Sequence, residues 1–299
     1  MKRVLITGAN GFTGRYLLER FAREGYLLHG LVHSAEGEAD LRLCATHAAD
    51  LRDLPALRAV IAQFQPERVV HLAAIAFVAH GDPAELYSTN ILGTRNLLEA
   101  LAGADTRPEA VLIASSANVY GNRREGVLDE SMEPEPSNDY GISKVTCEML
   151  AWLYADRLPI ITVRPFNYTG RGQAEHFIIP KIIAHAKARA PVIELGNIDV
   201  ARDFSDVRAV VDSYARLLDT PAAIGGLFNV CSGEARSLAE VIALVEKRSG
   251  HQMDVVVNPA FVRLDEVKTL CGSRARLESV IGPLAMPALE DTIAWMLGD

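Results

Sequence analysis

An α/β fold, a doubly wound parallel sheet followed by a smaller mixed C-terminal lobe, is predicted by three features of this 299-residue sequence. Short apolar or β-branched runs alternate with longer stretches of helical period through the first half, the order expected of a parallel sheet with helices on both faces. A glycine-rich run, Thr7-Gly8-Ala9-Asn10-Gly11-Phe12-Thr13-Gly14, closes the first apolar run and opens the first helical one. After Arg164-Pro165 the alternation gives way to helices separated by Gly- and Asn-rich loops, which marks a change of architecture.

Strands are expected at 4–6, 27–32, 69–72, 111–113 and 160–163, because each is a short run dominated by apolar or β-branched residues, as in a strand covered on both faces. Helices are expected between them at 15–24, 54–63, 83–101 and 140–155, and beyond them at 180–189, 207–219 and 237–249. The chain is longer than a usual single domain. Residues 1–165 are therefore expected to form the sheet domain and 166–299 the lobe, with a return to the first sheet within 200–232, where 227–230 reads as one more strand. No internal repeat or low-complexity segment interrupts this order.

Composition narrows the class of partner. Hydrophobic residues make up 49% and charged residues 23%, as in an ordinary soluble globular protein. Lys and Arg number 30 against 38 Asp and Glu, and the resulting net charge of −8 disfavours broad binding to nucleic acid or to an anionic membrane. An anionic ligand has to be met by local groups instead. Cys44, Cys147, Cys231 and Cys271 are scattered, without a C-x-x-C pair or a histidine cluster, so neither a disulfide framework nor a metal site is expected. Met1-Lys2-Arg3 runs straight into the first strand pattern, and no run has transmembrane length, which predicts a reduced, cytoplasmic protein.

The glycine run has the context of a dinucleotide fingerprint, directly after a strand and at the start of a helix. Its early glycines permit a tight turn and close approach of the backbone to a pyrophosphate, and the last lets helix and strand pack closely. The helix N-terminus then offers N–H groups and positive dipole to the phosphates. Asp50-Leu51, after a third strand, either accepts from an adenine amino group or, through Asp50, caps the helix at 54–63. The second strand ends Leu31-Val32-His33-Ser34, without the carboxylate that an NAD-selective site places against the ribose 2′-hydroxyl. That absence favours NADP(H), with His33 and Ser34 as candidate donors to the 2′-phosphate. Neither is an arginine, so NAD(H) stays open as a second cofactor.

Tyr140 and Lys144 are four residues apart on an expected helix, hence on one face, where an ammonium can act on the phenol. A free phenol titrates near about 10, and a nearby cation lowers that value. Tyr140 is thus a candidate general acid. These residues, together with the glycine run, His71-Leu72-Ala73-Ala74, Asn90 within Ser88-Thr89-Asn90-Ile91-Leu92-Gly93-Thr94, and the pair Ser115-Ser116, resemble an extended short-chain dehydrogenase/reductase over nearly the whole chain. The resemblance implies a Rossmann domain, a nucleotide-sugar lobe and a catalytic trio of Ser116, Tyr140 and Lys144. It also implies cofactor contacts from Gly8, Asn10, Gly11, Phe12, Thr13, Gly14, Leu72, Ala73, Ala74 and Asn90. Tyr120 is expected to pack against or line the site, and His71 to be a strand-end residue without chemistry.

The C-terminal half resembles the GDP-mannose branch of the family, through Arg164-Pro165-Phe166-Asn167-Tyr168-Thr169-Gly170-Arg171, through Ala201-Arg202-Asp203-Phe204, and through Arg263-Leu264-Asp265. Contacts to a GDP-sugar from Asn118, Asn167, Lys181, Arg202 and Arg263 are implied, with arginine forks suited to diphosphate oxygens. Two departures stand beside this. Leu264 replaces the proline of the branch, and Arg202 has an alternative as a surface ion pair with Asp203 or Asp206. The branch contains both reductases and 4,6-dehydratases. Elimination needs an acid and a base directly after the catalytic hydroxyl residue, whereas Ala117 and Asn118 stand here and neither transfers protons in that way. The expected activity is therefore hydride transfer to the C4 ketone of GDP-4-keto-6-deoxy-D-mannose, giving GDP-D-rhamnose. A 4-epimerase, a dehydratase and a non-catalytic cofactor sensor are the rivals. Relatives pair the helices equivalent to 83–101 and 140–155, which implies a homodimer.

Overall fold

The computed structural model describes residues 2–33, 43–76, 81–122, 126–262 and 267–298. The chain runs β1 (Arg3–Thr7), α1 (Phe12–Ala22), β2 (Leu27–Val32), β3 (Ala45–Ala48), α2 (Leu54–Phe64), β4 (Arg68–His71), α3 (Pro83–Tyr87), α4 (Gly93–Ala102), β5 (Ala110–Ala114), β6 (Gly126–Leu128), α5 (Asp139–Leu153) and β7 (Ile160–Pro165). It continues through β8 (Asn167–Thr169), α6 (Ile178–Lys187), β9 (Val192–Leu195), β10 (Ala201–Asp206), α7 (Val207–Leu218), β11 (Leu227–Val230), β12 (Ala235–Ser237), α8 (Leu238–Ser249), β13 (Asp254–Val257), β14 (Thr269–Gly272), α9 (Ala275–Ile281) and α10 (Leu289–Leu297).

Seven strands pair in the order β11-β7-β5-β4-β1-β2-β3, all parallel. The strand order reverses between β1 and β4, and the crevice at their carboxyl ends is where an open sheet of this kind binds ligands. Thr7 and His71 are register partners at that edge. Alternate residues of each strand feed two cores. Val4, Ile6 and Val70 pack with α1, α7 and Leu277, whereas Leu5, Val69 and Val111 pack with α2, α4 and Ala151. A second sheet, β12-β10-β14-β6 with β8 on β10, supports the lobe, whose own core is formed by α6, α8 and α10. The chain crosses between the sheets more than once, since β6 joins the second sheet and β11 returns to the first.

The single helix expected over 83–101 is divided. α3 is followed by a π-helical turn, Ser88–Leu92, before α4 begins. The Asn90 side chain accounts for the wider turn: its Oδ1 accepts from Ile75 N at 2.8 Å and its Nδ2 donates to Ile75 O at 3.1 Å. The carbonyl of Asn90 accepts from Thr94 Oγ1 at 2.5 Å and from Cys147 Sγ at 3.2 Å. Such π-turns cost hydrogen-bond regularity and concentrate at functional sites.

Candidate active site

The glycines of the first turn do separate work. Gly8 has φ +68°, and a Cβ there would come within 3.0 Å of the Ala73 backbone. Gly14 allows α1 to pass over the turn, because its Cβ would lie 2.6 Å from Ala9 O and closer still to Gly8 O. Gly11 is the N-cap of α1 and no side chain caps that end, so the first-turn N–H groups face the crevice edge without a side-chain partner. Leu72, Ala73 and Ala74 follow β4 alongside, and Ala73 N donates to Thr7 Oγ1 at 3.1 Å. The cradle fits a dinucleotide diphosphate. Phe12 and Thr13 also tie it to the lobe strand β8: Phe12 stacks on Tyr168 with ring centroids 6.0 Å apart, and Thr13 Oγ1 lies 2.7 Å from the Tyr168 hydroxyl.

At the adenosine end, His33 is exposed at the end of β2, and Ser34 lies outside the described residues. Asp50 is not the cap of α2. That role belongs to Asp53, whose carboxylate accepts from Ala56 N, while Asp50 forms a two-pronged pair with Arg52. Arg52 above all, and more weakly His33, hold the Asp50 carboxyl below its ordinary range. Arg52, two residues on and absent from the sequence expectations, puts a guanidinium on the Asp50 carboxylate at this end of the crevice. Leu51 is buried, its side chain filling the space a Cβ on Gly93 would need. Asn90, expected among the cofactor contacts, commits its amide to Ile75 and, at 3.0 Å, to Ser143 Oγ, so its part is to hold backbone.

Ser116, Tyr140 and Lys144, expected to form a catalytic trio, converge beyond β5 and on the first turns of α5. The serine pair divides by direction. Ser115 Oγ donates to Glu148, which Arg164 holds with two nitrogens at 2.8 and 2.7 Å, leaving Ser116 as the hydroxyl that acts on the Tyr140 phenol. Ser116 Oγ also accepts from Asn118 N and Nδ2 at 3.2 and 3.1 Å, which brings Asn118 to the same point. Lys144 donates to Ala114 O at 2.8 Å and stands 5.7 Å from the Tyr140 ring centroid. Tyr140 and Lys144 are both buried. Against the expectation that Lys144 lowers the phenol's pKa, burial raises it to about 12, opposed by the Ser116 hydroxyl. Burial also pushes the Lys144 ammonium down. Tyr140 therefore carries its proton throughout the neutral range, as a proton donor to a developing alkoxide must.

Tyr120 is buried and packs rather than lines, with its hydroxyl on Asn229 and the Arg164 guanidinium 4.8 Å from its ring. Of the other sugar-site residues, Asn167 stands exposed at the start of β8. Lys181 bonds Glu194 O at 2.7 Å and lies 4.8 Å from the Phe261 ring, an anchorage within the lobe. Arg202 Nη1 donates to the carbonyls of Ala201 and Val267. Its suggested partners are otherwise engaged: Asp203 is buried against Ser232, Gly233 and Gly272, and Asp206 pairs with Arg208. Arg263 lies outside the described residues.

A doubly wound sheet with a glycine cradle and a buried Ser-Tyr-Lys trio defines a nucleotide-dependent oxidoreductase or isomerase. A profile of the NAD dependent epimerase/dehydratase family matches residues 4–231, and the chain belongs to that family. Among curated relatives, the GDP-6-deoxy-D-mannose reductase of Pseudomonas aeruginosa is 34% identical over 100% of this chain and 97% of its own length. The GDP-6-deoxy-D-talose 4-dehydrogenase of Aggregatibacter actinomycetemcomitans is 32% identical over 94% and 91%. The solved structure of RMD from Pseudomonas aeruginosa, complexed with NADPH, superposes with a TM-score of 0.85 at 30% identity, covering 99% of this chain and 98% of that one. A chain from Burkholderia cenocepacia J2315, provisionally described as an epimerase, reaches 0.93 at 48% identity over 99% and 97%. Among the described residues no helix is long and apolar enough to cross a membrane.

Proposed function

We propose that this enzyme reduces the C4 ketone of GDP-4-keto-6-deoxy-D-mannose to GDP-D-rhamnose, using NADP(H) in preference to NAD(H). The observation that carries the reading is the Tyr140 phenol, held protonated by burial, beside a Ser116 whose near neighbour Asn118 is an amide, unable to act as an acid or a base. A bound nicotinamide supplies the hydride. Tyr140 protonates the oxygen that the reduction leaves negative, Ser116 stabilises that oxygen, and Lys144 holds the cofactor ribose. Ala117 and Asn118 offer no acid–base pair for expelling the C6 hydroxyl, which supports a reductase over a dehydratase. Arg202 and Asn167 are proposed to meet the nucleotide-sugar, together with Asn118, Lys181 and Arg263.

The test is direct. Purified protein supplied with the 4-keto sugar should consume NADPH in a one-to-one ratio with product. A redox-neutral isomerisation of a GDP-hexose without NADPH loss would make it an epimerase, and absence of turnover would remove catalysis altogether. The relative named for 6-deoxy-D-talose favours one second reading, hydride delivery to the opposite face of C4. The C4 proton coupling of the product separates the two epimers.

A homodimer belongs to the same proposal, and α5 supports it. Ile142, Met149, Trp152 and Leu153 lie on its outer side, Trp152 81% exposed and Met149 and Leu153 each 65%, an apolar surface larger than isolated residues account for. A second copy of the chain covering this face would pair α5 with its equivalent. Trp152→Glu is expected to give a monomer by sedimentation at concentrations where the unmodified protein is dimeric, and a dimer surviving that change places the interface elsewhere. A cytoplasmic location completes the proposal, supported by four cysteines that are all free thiols.

A further inference from the structure

Between the glycine turn and the catalytic helix runs a buried chain of polar groups. Thr7 Oγ1 lies 2.7 Å from His71 Nδ1, and His71 Nε2 lies 2.9 Å from Thr94 Oγ1. Counting protons assigns every direction. The Asn90 carbonyl can only accept, so the single Thr94 hydroxyl proton goes to it at 2.5 Å, and Thr94 Oγ1 must accept from His71. His71 Nε2 therefore bears hydrogen. At the other end Thr7 Oγ1 accepts from Ala73 N, and its own proton is left for His71 Nδ1. A second proton on the ring would leave the Thr7 hydroxyl without an acceptor, in a place that is wholly buried. From Asn90 the chain goes on through Ser143 Oγ, which takes a bond from Asn90 Nδ2 at 3.0 Å and donates to Tyr140 O at 2.7 Å.

We propose that His71, as a neutral imidazole protonated at Nε2, is a positioning residue that clamps the cofactor turn at Thr7 and Ala73 to the π-turn at Asn90 and hence to the helix carrying Tyr140 and Lys144. The inference rests on the reduction proposed above and deepens it by naming what sets the distance between the hydride donor's cradle and the proton donor. Burial and the nearby Lys144 both oppose a charge on the ring, whose pKa falls to about 3. The clamp thus keeps one tautomer across the working range. A fixed tautomer suits a spacer, because a misplacement of about 1 Å at the reacting centre costs up to about a hundredfold in rate.

The test combines a spectrum with a mutant cycle. Long-range proton–nitrogen correlation on histidine-labelled protein, with His71→Phe identifying the peak, should find hydrogen on Nε2 and none on Nδ1, unchanged from pH 8 to pH 5. Thr94→Val and His71→Phe should each lower the rate of ketone reduction by about ten- to a hundredfold, with either KM altered less than threefold and a primary isotope effect from C4-deuterated NADPH no smaller than in the unmodified enzyme. The double variant should be no slower than the slower single one, as for residues acting as a unit, and Thr94→Ser should restore the rate. Hydrogen on Nδ1, a ring that becomes cationic above pH 5, or rate losses that multiply would overturn the clamp. Because the tautomer is read without substrate, an unmodified protein that fails to reduce the ketone would sink the reaction assignment and leave the clamp's geometry to be decided by the spectrum.

Discussion

Tyr140→Phe is expected to slow ketone reduction by about two to four decades, the range of a lost general acid, while cofactor binding survives. The ring is buried and Phe keeps its packing; what disappears is the phenolic hydroxyl that Ser116 acts on. Because burial raises the phenol's pKa well above its ordinary value, the reductive rate of the unmodified enzyme should not fall through loss of the Tyr140 proton anywhere in the neutral range, and a decline there would come from another group. Single-turnover measurements with saturating NADPH check both statements. A variant keeping more than a tenth of the chemical rate would remove Tyr140 from the mechanism.

Gly14→Ala is the second large effect. A methyl group at this position meets the carbonyls of Gly8 and Ala9, both backbone and both part of the cradle, so no flexible side chain can give way. Overpacking of this kind costs about 1–3 kcal/mol, occasionally more, and it displaces the N–H groups offered to the diphosphate. NADPH affinity should fall on the order of a hundredfold, equivalent to about 2.8 kcal/mol, with thermal stability of the cofactor-free protein reduced as well. Fluorescence titration of NADPH together with a melting curve separates the two. Gly25→Ala is the control, since nothing stands within 4 Å of its added carbon; its positive φ adds only local strain.

Five strands of the first sheet, β1, β2, β4, β5 and β7, were legible because strands buried on both faces are built mainly of apolar and β-branched residues. The short strands β6, β8 and β12 were not, since three residues carry too little pattern and their pairing is decided by partners far along the chain. The π-turn was illegible for a similar reason: Asn90 widens the helix by bonding Ile75, a residue fifteen positions earlier. At the site, the i, i+4 spacing found Tyr140 and Lys144, but the sign of the phenol's shift depends on depth, which no spacing reports. Asp50 precedes a helix as a cap would, but Asp53 takes that place by standing three residues before the N–H it accepts. Asp203 follows Arg202 as a surface ion-pair partner would, yet the sheet buries its carboxylate among backbone amides.

The late return of β11 to the first sheet has a consequence for how this molecule is made. A ribosome that has released residues 1–165 has released six of the seven strands, yet the layer formed by α7 is still missing. Val207, Val210, Val211, Tyr214, Leu217 and Leu218 lie in the core that covers Val4, Ile6 and Val70. Until they emerge, α1 alone covers that face, so part of it and the outer edge of β7 stay open, and an open apolar surface with an unpaired edge invites association. The amino-terminal half is therefore a poor unit for expression on its own. Shuffling experiments that seek to exchange the sugar-binding lobe need to keep 207–230 with the first sheet, and to take β6 with the graft.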